Sequence, residues 1–193
     1  AQAMASPLNP DEAGGNGMMI TAADVTACAA DSGQLVPILE QAEDTSGERA
    51  EVTLADGGYH TGANLEACEN RGQLVVMPEG KRKIVKRLYF KDRFVYDPIT
   101  DSYHCPRGEP IPFQGLRKNN GRISGPYRVY RASRTVCHPC PAYGVCTKDK
   151  HSGRALWIGP TDALLRRHRQ WMETESAKRW YARRKELIEP VFG

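Results

Sequence analysis

The chain has 193 residues, 40% apolar and 26% charged, enough for one sizeable domain or a domain with a small insert. No run approaches the roughly 18–20 apolar residues that span a bilayer. Ala1-Gln2-Ala3-Met4 lacks the basic-then-apolar texture of a signal peptide, so the sequence argues against a membrane protein and for a cytoplasmic one. The net charge of +4 conceals an asymmetry: residues 1–80 carry 13 acids against two arginines, and residues 81–193 carry 25 Lys and Arg against 10 acids. A basic C-terminal part suits a polyanionic partner such as nucleic acid, or serves as a solubilising surface.

In chain order, residues 17–27 are β-prone and partly alternating, and predict a strand. Asp31-Ser32-Gly33-Gln34 offers a cap to a helix with Leu35, Ile38 and Leu39 on one face, ending near Thr45-Ser46-Gly47. Val52-Thr53-Leu54-Ala55 reads as a buried central strand that ends in the turn Asp56-Gly57-Gly58. A helix over Thr61–Cys68 and a strand over Gln73–Pro78 follow. Strand–helix alternation of this kind predicts an α/β sheet with parallel pairing among its later strands.

The texture changes near residue 80. Lys81, Arg82, Lys83, Lys86 and Arg87 form a basic run. Residues 93–136 mix aromatics, Pro, Gly and charge, which predicts short antiparallel strands, and residues 137–160 read as irregular. From Thr161-Asp162 to about Ile188 the pattern is helical, divided into two by the polar Glu173-Thr174-Glu175-Ser176.

Two carboxylates and one cysteine cluster carry the candidate chemistry. Asp56 stands at the C-terminal end of a buried strand, where α/β folds place their sites, and Gly57 and Gly58 leave room beside it. Such an oxygen donor suits Mg²⁺, although Asp-Gly-Gly is also an ordinary turn. Glu189 lies beside Tyr181, Arg183, Arg184 and Lys185, residues that suit phosphates or, equally, a solvated helix. Cys28 and Cys68 are isolated and read as small buried hydrophobes. Cys105, Cys137, Cys140 and Cys146 are spaced C-x31-C-x2-C-x5-C, which suggests a tetrahedral structural Zn²⁺ site or, failing that, free thiols. His104, His138 and His151 are substitute ligands by proximity in sequence.

Taken together, these blocks resemble the DDE transposases of bacterial insertion sequences. Leu54-Ala55-Asp56-Gly57-Gly58-Tyr59-His60, with Asn64-Leu65 after it, resembles the block around the family's second catalytic Asp. Tyr181, Arg184 and Ile188-Glu189-Pro190-Val191-Phe192-Gly193 resemble the block around the third acid. Asp31-Ser32-Gly33-Gln34-Leu35-Val36-Pro37, Tyr96-Asp97-Pro98, Tyr103-His104-Cys105-Pro106, Cys137-His138-Pro139-Cys140-Pro141 and Cys146-Thr147 also look like family segments, in the family's order.

The resemblance implies an α/β, ribonuclease-H-like mixed sheet with flanking helices, interrupted by a small cysteine-rich β insert. Its boundaries would be 1–80 for a partial core, 81–160 for a basic, zinc-ribbon-like insert, and 161–193 for helices returning to the core with the third acid. It also implies that Asp56 and Glu189 bind Mg²⁺ or Mn²⁺, with Tyr181 and Arg184 in support. Two such ions activate water or a DNA 3′-hydroxyl for in-line attack on a phosphodiester. The gap from Arg184 to Glu189 is one residue longer than the family's simplest pattern, which leaves Arg183 as an alternative. The residue before proline disfavours α geometry, so the helix is expected to end or kink at Glu189.

The family's first acid belongs on a strand upstream of a segment like Gln2–Ser6, and Asp11, in a Pro/Gly-rich stretch, is a poor substitute. The expectation is a chain truncated at its N-terminus, a fragment inactive alone, whose full-length form is a homo-oligomer acting on transposon ends and target DNA. Lys81, Lys83, Lys86, Arg87, Arg166, Arg167 and Arg169, with Arg117 and Lys118, are the expected phosphate contacts, with strong salt dependence. The alternatives are a non-catalytic zinc-ribbon-like nucleic-acid-binding module, and a metal-dependent nuclease of the same fold.

Overall fold

The computed structural model describes residues 4–6, 22, 31–79, 88–118 and 125–192, of which 4–6, 31 and 184–192 are described in backbone alone. The chain is mixed α/β and divides into two units, residues 1–81 with 163–193, and residues 82–162. The strand expected over 17–27 lies outside the described residues except for Ala22, which is buried.

The first unit is built on a three-stranded sheet of β1 (Met4–Ser6), β2 (Val52–Leu54) and β3 (Leu74–Val76), with β2 in the centre. β1 pairs antiparallel with β2, while β2 and β3 run parallel with Val52 opposite Leu74. The central position explains why all three β2 residues are apolar or small and buried. Alternation along the strands sends Val52, Leu54 and Val76 to a cluster that Trp171, Met172, Trp180 and Tyr181 cover. Ala55, Val75 and Met77 join a second cluster with Leu35, Ile38, Leu39, Ala42, Leu65 and Cys68. Each cluster takes residues from both sheet and helices, as an α/β layer requires.

Helix α1 (Leu35–Ser46) forms because Leu35, Ile38, Leu39 and Ala42 fall on one face. Gly47 stops it with φ +75°, its N–H donating to the Glu43 carbonyl. Its start differs from expectation: Asp31–Gly33 forms a 3₁₀ turn that runs into α1, and Gln34 offers no side-chain cap. Helix α2 (Gly62–Asn70) is capped by Thr61, whose hydroxyl accepts the Asn64 N–H at 3.2 Å.

The second unit is a five-stranded antiparallel sheet in sequential order: β4 (Val95–Asp97), β5 (Ser102–His104), β6 (Pro110–Arg117), β7 (Tyr127–Arg131) and β8 (Ala155–Ile158). A short helix, α3 (Arg134–Cys137), follows β7. Phe94, Tyr103, Ile111, Tyr130, Ala132 and Leu156 form its core. A polar network links the β4–β5 turn to β7 across the sheet. The Asp101 carboxylate accepts the Tyr130 hydroxyl at 2.9 Å and the Arg128 guanidinium at 2.6 Å, and Arg128 lies 4.4 Å from the centre of the Phe113 ring. The strand β8 corrects the reading of 137–160 as wholly irregular. Leu156 turns inward and Trp157 outward, a period of two over four residues, too short to stand out beside the turns that precede it.

Two further helices complete the first unit: α4 (Asp162–Met172) and α5 (Glu175–Phe192). They break at the polar stretch the sequence marks, where the Thr174 hydroxyl accepts the Ala177 N–H at 3.3 Å. Of the expected end or kink at Glu189, the end does not occur, since α5 runs on through Pro190 to Phe192. Proline's fixed φ is itself helical, so what is lost is the bond its missing N–H would make to the Glu186 carbonyl.

Candidate functional site: a strand-end carboxylate and a cysteine cavity

Asp56 is held at the point where β2 gives out. The Ala55 N–H donates to the Val76 carbonyl at 3.0 Å, which carries the parallel pairing one residue past the strand. Asp56 is then extended and caps a 3₁₀ turn over Gly57–Tyr59. Its Oδ1 accepts the Gly58 N–H at 2.7 Å, and Oδ2 has no hydrogen-bond partner among the described residues. Gly58 has a steric reason as well: a Cβ there would stand 3.0 Å from Asp56 Oδ1.

The turn is clamped by a residue that sequence reasoning placed only within a motif. Asn64, buried in the first turn of α2, donates from Nδ2 to the Tyr59 carbonyl at 2.8 Å and to the Ser32 carbonyl at 2.6 Å. It ties the loop after Asp56 to the turn before α1. A buried amide needs such partners, so an Asn inside an apolar helix face was the available signal.

Behind this loop lies a second unforeseen group. The His60 and His168 rings stand 5.2 Å apart, and His168 Nε2 is 3.3 Å from the Val75 carbonyl of β3. Burial, offset in part by that carbonyl bond and reinforced by His60 and Arg169, holds the His168 pKa down at about 4. The folded state therefore keeps His168 neutral, while the unfolded chain protonates it near the ordinary value. Stability from this group is full above about pH 6.5 and is lost as pH falls towards 4. Thermal melts at pH 7 and pH 5 are expected to show a loss on the order of 1 kcal/mol, allowing for some solvent screening. His168→Gln is expected to flatten the pH dependence; an unchanged slope would remove His168 as its cause.

The other acid block is seated on the same strands. Trp180 and Tyr181 of α5 pack against Val52, Leu54 and Val76, so the candidate supporting Tyr181 first serves to dock its helix on β2 and β3. Glu189 lies eight residues further along α5, about 12 Å of helical rise. The side chains of Arg184 and Glu189 lie outside the described residues. Arg183 stands 6.0 Å from the centre of the Trp180 ring.

Among the expected phosphate contacts, Lys81, Lys83, Lys86 and Arg87 also lie outside the described residues. Arg167 pairs with Glu69 at 2.6 Å, Arg169 with Glu79 at 3.8 Å, and Arg166 is half-buried. Arg117 and Lys118 are exposed at the end of β6.

In the second unit, Cys105, Cys137, Cys140 and Cys146 line one cavity of about 240 Å³, with Pro106, Val136, Pro141 and Arg154. All four are free thiols. His104, His138 and His151 are not in its lining; His104 Nδ1 is 3.1 Å from the Gly108 carbonyl and His138 Nε2 is 3.1 Å from the Asp149 carbonyl. Among the described residues, no group of three or more His, Cys, Asp or Glu side chains is set as a metal site. The Asp56 carboxylate, with one oxygen fixed and the other open, has the donor chemistry that Mg²⁺ takes.

No helix among the described residues is long and apolar enough to cross a membrane. Comparisons with curated proteins and with solved structures found no match. Residues 104–193 match the family described as Transposase DDE domain. That stretch contains all four clustered cysteines and Glu189, and Asp56 lies upstream of it. Over residues 104–193, the chain is similar to the transposase DDE domain.

Proposed function

We propose that this chain is part of a transposase that cleaves DNA and transfers strands, with Asp56 as the second and Glu189 as the third acid of a ribonuclease-H-like core. The observation that carries the reading is the placement of Asp56. A buried parallel strand delivers its carboxylate to the sheet edge, Gly58 fixes one oxygen, and the helix bearing Glu189 is docked on the same strand. Mg²⁺ or Mn²⁺ bound there would supply Lewis-acid stabilisation of the leaving oxygen and a more acidic attacking hydroxyl. Asp56 and Glu189 would hold the ions, and Arg166, Arg167 and Arg169, with the run from Lys81 to Arg87, would neutralise DNA phosphates. Arg167 and Arg169 would exchange Glu69 and Glu79 for phosphate oxygens, a partner swap that strong salt screening suppresses. The working protein would be a cytoplasmic homo-oligomer on transposon ends and target DNA.

On this reading Asp56 and Glu189 are two of the three carboxylates the reaction uses, and two alone are expected to hold the ions weakly and to transfer little or no DNA. The test is strand transfer on labelled transposon-end DNA, by the chain alone and by the chain joined to its upstream coding segment. Activity that needs both the upstream segment and Mg²⁺ or Mn²⁺ is expected. Robust Mg²⁺-dependent transfer by the 193 residues alone would contradict it. A second reading, a nucleic-acid-binding module with structural Asp56 and Glu189, is favoured by the cysteine cavity within a sheet that has its own core. It predicts DNA binding with no divalent-metal requirement and no cleavage in either form.

A further inference from the structure

The four cysteines come from separate places in the second unit: Cys105 just past β5, Cys137 at the end of α3, and Cys140 and Cys146 in the loop after it. The antiparallel sheet closes the 31-residue gap by placing the end of β5, the start of β6 and the end of β7 at the same end of the sheet. Cys105 and Cys140 each begin a turn of the same kind. In Cys105-Pro106-Arg107-Gly108, the Arg107 N–H points at Cys105 Sγ at 3.4 Å, and the Gly108 N–H donates to the Cys105 carbonyl at 2.8 Å. In Cys140-Pro141-Ala142-Tyr143, the Ala142 N–H points at Cys140 Sγ at 3.4 Å, and the Tyr143 N–H donates to the Cys140 carbonyl at 2.8 Å. A third amide, from Arg154, points at Cys137 Sγ at 3.4 Å.

Three backbone donors aimed at three sulfurs matter because a thiol is a weak acceptor and a thiolate a strong one. The third donor depends on a close approach that only glycine allows. A Cβ at Gly153 would lie 2.5 Å from the Ala132 carbonyl oxygen, so the lack of a side chain is what lets the chain enter β8 tight against the end of β7. A positive group is also in place. Arg154 lines the cavity, donates to the Cys146 carbonyl at 3.0 Å and the Tyr89 carbonyl at 3.1 Å, and lies 5.4 Å from the centre of the Phe94 ring.

We infer that Cys105, Cys137, Cys140 and Cys146 close on one Zn²⁺ as four thiolates, a structural site that staples the ends of β5, α3 and the following loop together. The sulfurs are not drawn to one point as they stand. Rotation of their side chains inside the cavity they already share completes the tetrahedron, with Zn–S bonds of about 2.3 Å. Four S–H bonds are lost, four Zn–S bonds form, and four protons leave to solvent; no electron moves. The doubly negative zinc–thiolate group is met by the three amides and by Arg154. The inference does not rest on transposition, since the metal would be bound whether or not the chain acts on DNA.

The test is the metal content of the purified 193-residue chain after anaerobic reconstitution with Zn²⁺ under reducing conditions, with Co²⁺ as a spectroscopic substitute. About one equivalent of zinc is expected, together with the intense sulfur-to-cobalt charge-transfer and visible bands of a tetrahedral thiolate site. Cys140→Ser is expected to lose most of the metal, and Cys68→Ala to keep it. Should Cys140→Ser fail to fold, the wild-type stoichiometry and cobalt spectrum still decide the matter. Less than about a tenth of an equivalent, a cobalt spectrum without thiolate bands, or full retention by a folded Cys140→Ser overturns the inference.

Discussion

Asp56→Asn is expected to lower metal-dependent strand transfer about a thousandfold while leaving the fold intact. The comparison is made in the form that carries the upstream segment. Asparagine keeps the oxygen that accepts the Gly58 N–H, so the turn at the end of β2 retains its fixed bond. What disappears is the negative charge and with it a strong ligand for Mg²⁺. Charge stabilisation by a catalytic metal is worth several kcal/mol, and ~4 kcal/mol corresponds to about three powers of ten in rate. Gly58→Ala gives a graded companion. Its Cβ would press on Asp56 Oδ1 at 3.0 Å, so the carboxylate must shift by a few tenths of an ångström without losing its charge. A smaller loss than that of Asp56→Asn is expected. Equal activity of wild type and a folded Asp56→Asn would remove Asp56 from the chemistry.

Phe94→Ala is expected to destabilise the second unit by about 3–5 kcal/mol, the usual cost of emptying a large aromatic site in a core. Phe94 is wholly buried, and its cluster includes Tyr103, Ile111, Tyr130 and Leu156 from four different strands. Cys105, Cys137 and Cys146 pack against the same cluster, so the loss should reach the cysteine cavity. A loss of this size is a large fraction of a domain's total stability. Urea unfolding followed by tyrosine and tryptophan fluorescence, with Trp157 in this unit and Trp171 and Trp180 in the other, measures it. A midpoint within experimental error of wild type would show that the cluster does not govern the unit's stability.

Local rules made some of this legible and not the rest. The face of Leu35, Ile38, Leu39 and Ala42, and the stop at Gly47, are local signals, and α1 follows them to within a residue. The apolar run before Asp56 and the polar break between α4 and α5 are equally local. The sequence left an end or a kink open at Glu189, and α5 continues past Pro190 because the bias on a pre-proline residue is a preference that the rest of a long helix overrides. β8 was missed because four residues carry too little period to be heard beside a cysteine- and turn-rich loop.

The candidate site divides in the same way. A carboxylate at a strand end could be read from Val52 to Gly58 alone. The Asn64 clamp spans 32 residues to Ser32, and the His168 contact spans 93 residues to Val75, so neither exists until the chain is folded. The cysteine spacing suggested a shared ligand but could not give the amides of Arg107, Ala142 and Arg154 that point at three of the sulfurs.

Metal ligation by Asp56 is the central claim, and a change of donor atom tests it most directly. Asp56→Cys replaces a hard oxygen with a softer sulfur, which Mg²⁺ rejects and Mn²⁺ tolerates better. With the upstream segment present, strand transfer by Asp56→Cys is expected to be abolished in Mg²⁺ and to recover at least about tenfold in Mn²⁺, relative to wild type in the same ions. Equal loss in both metals, from a variant that melts like wild type, would contradict a metal-binding role for Asp56.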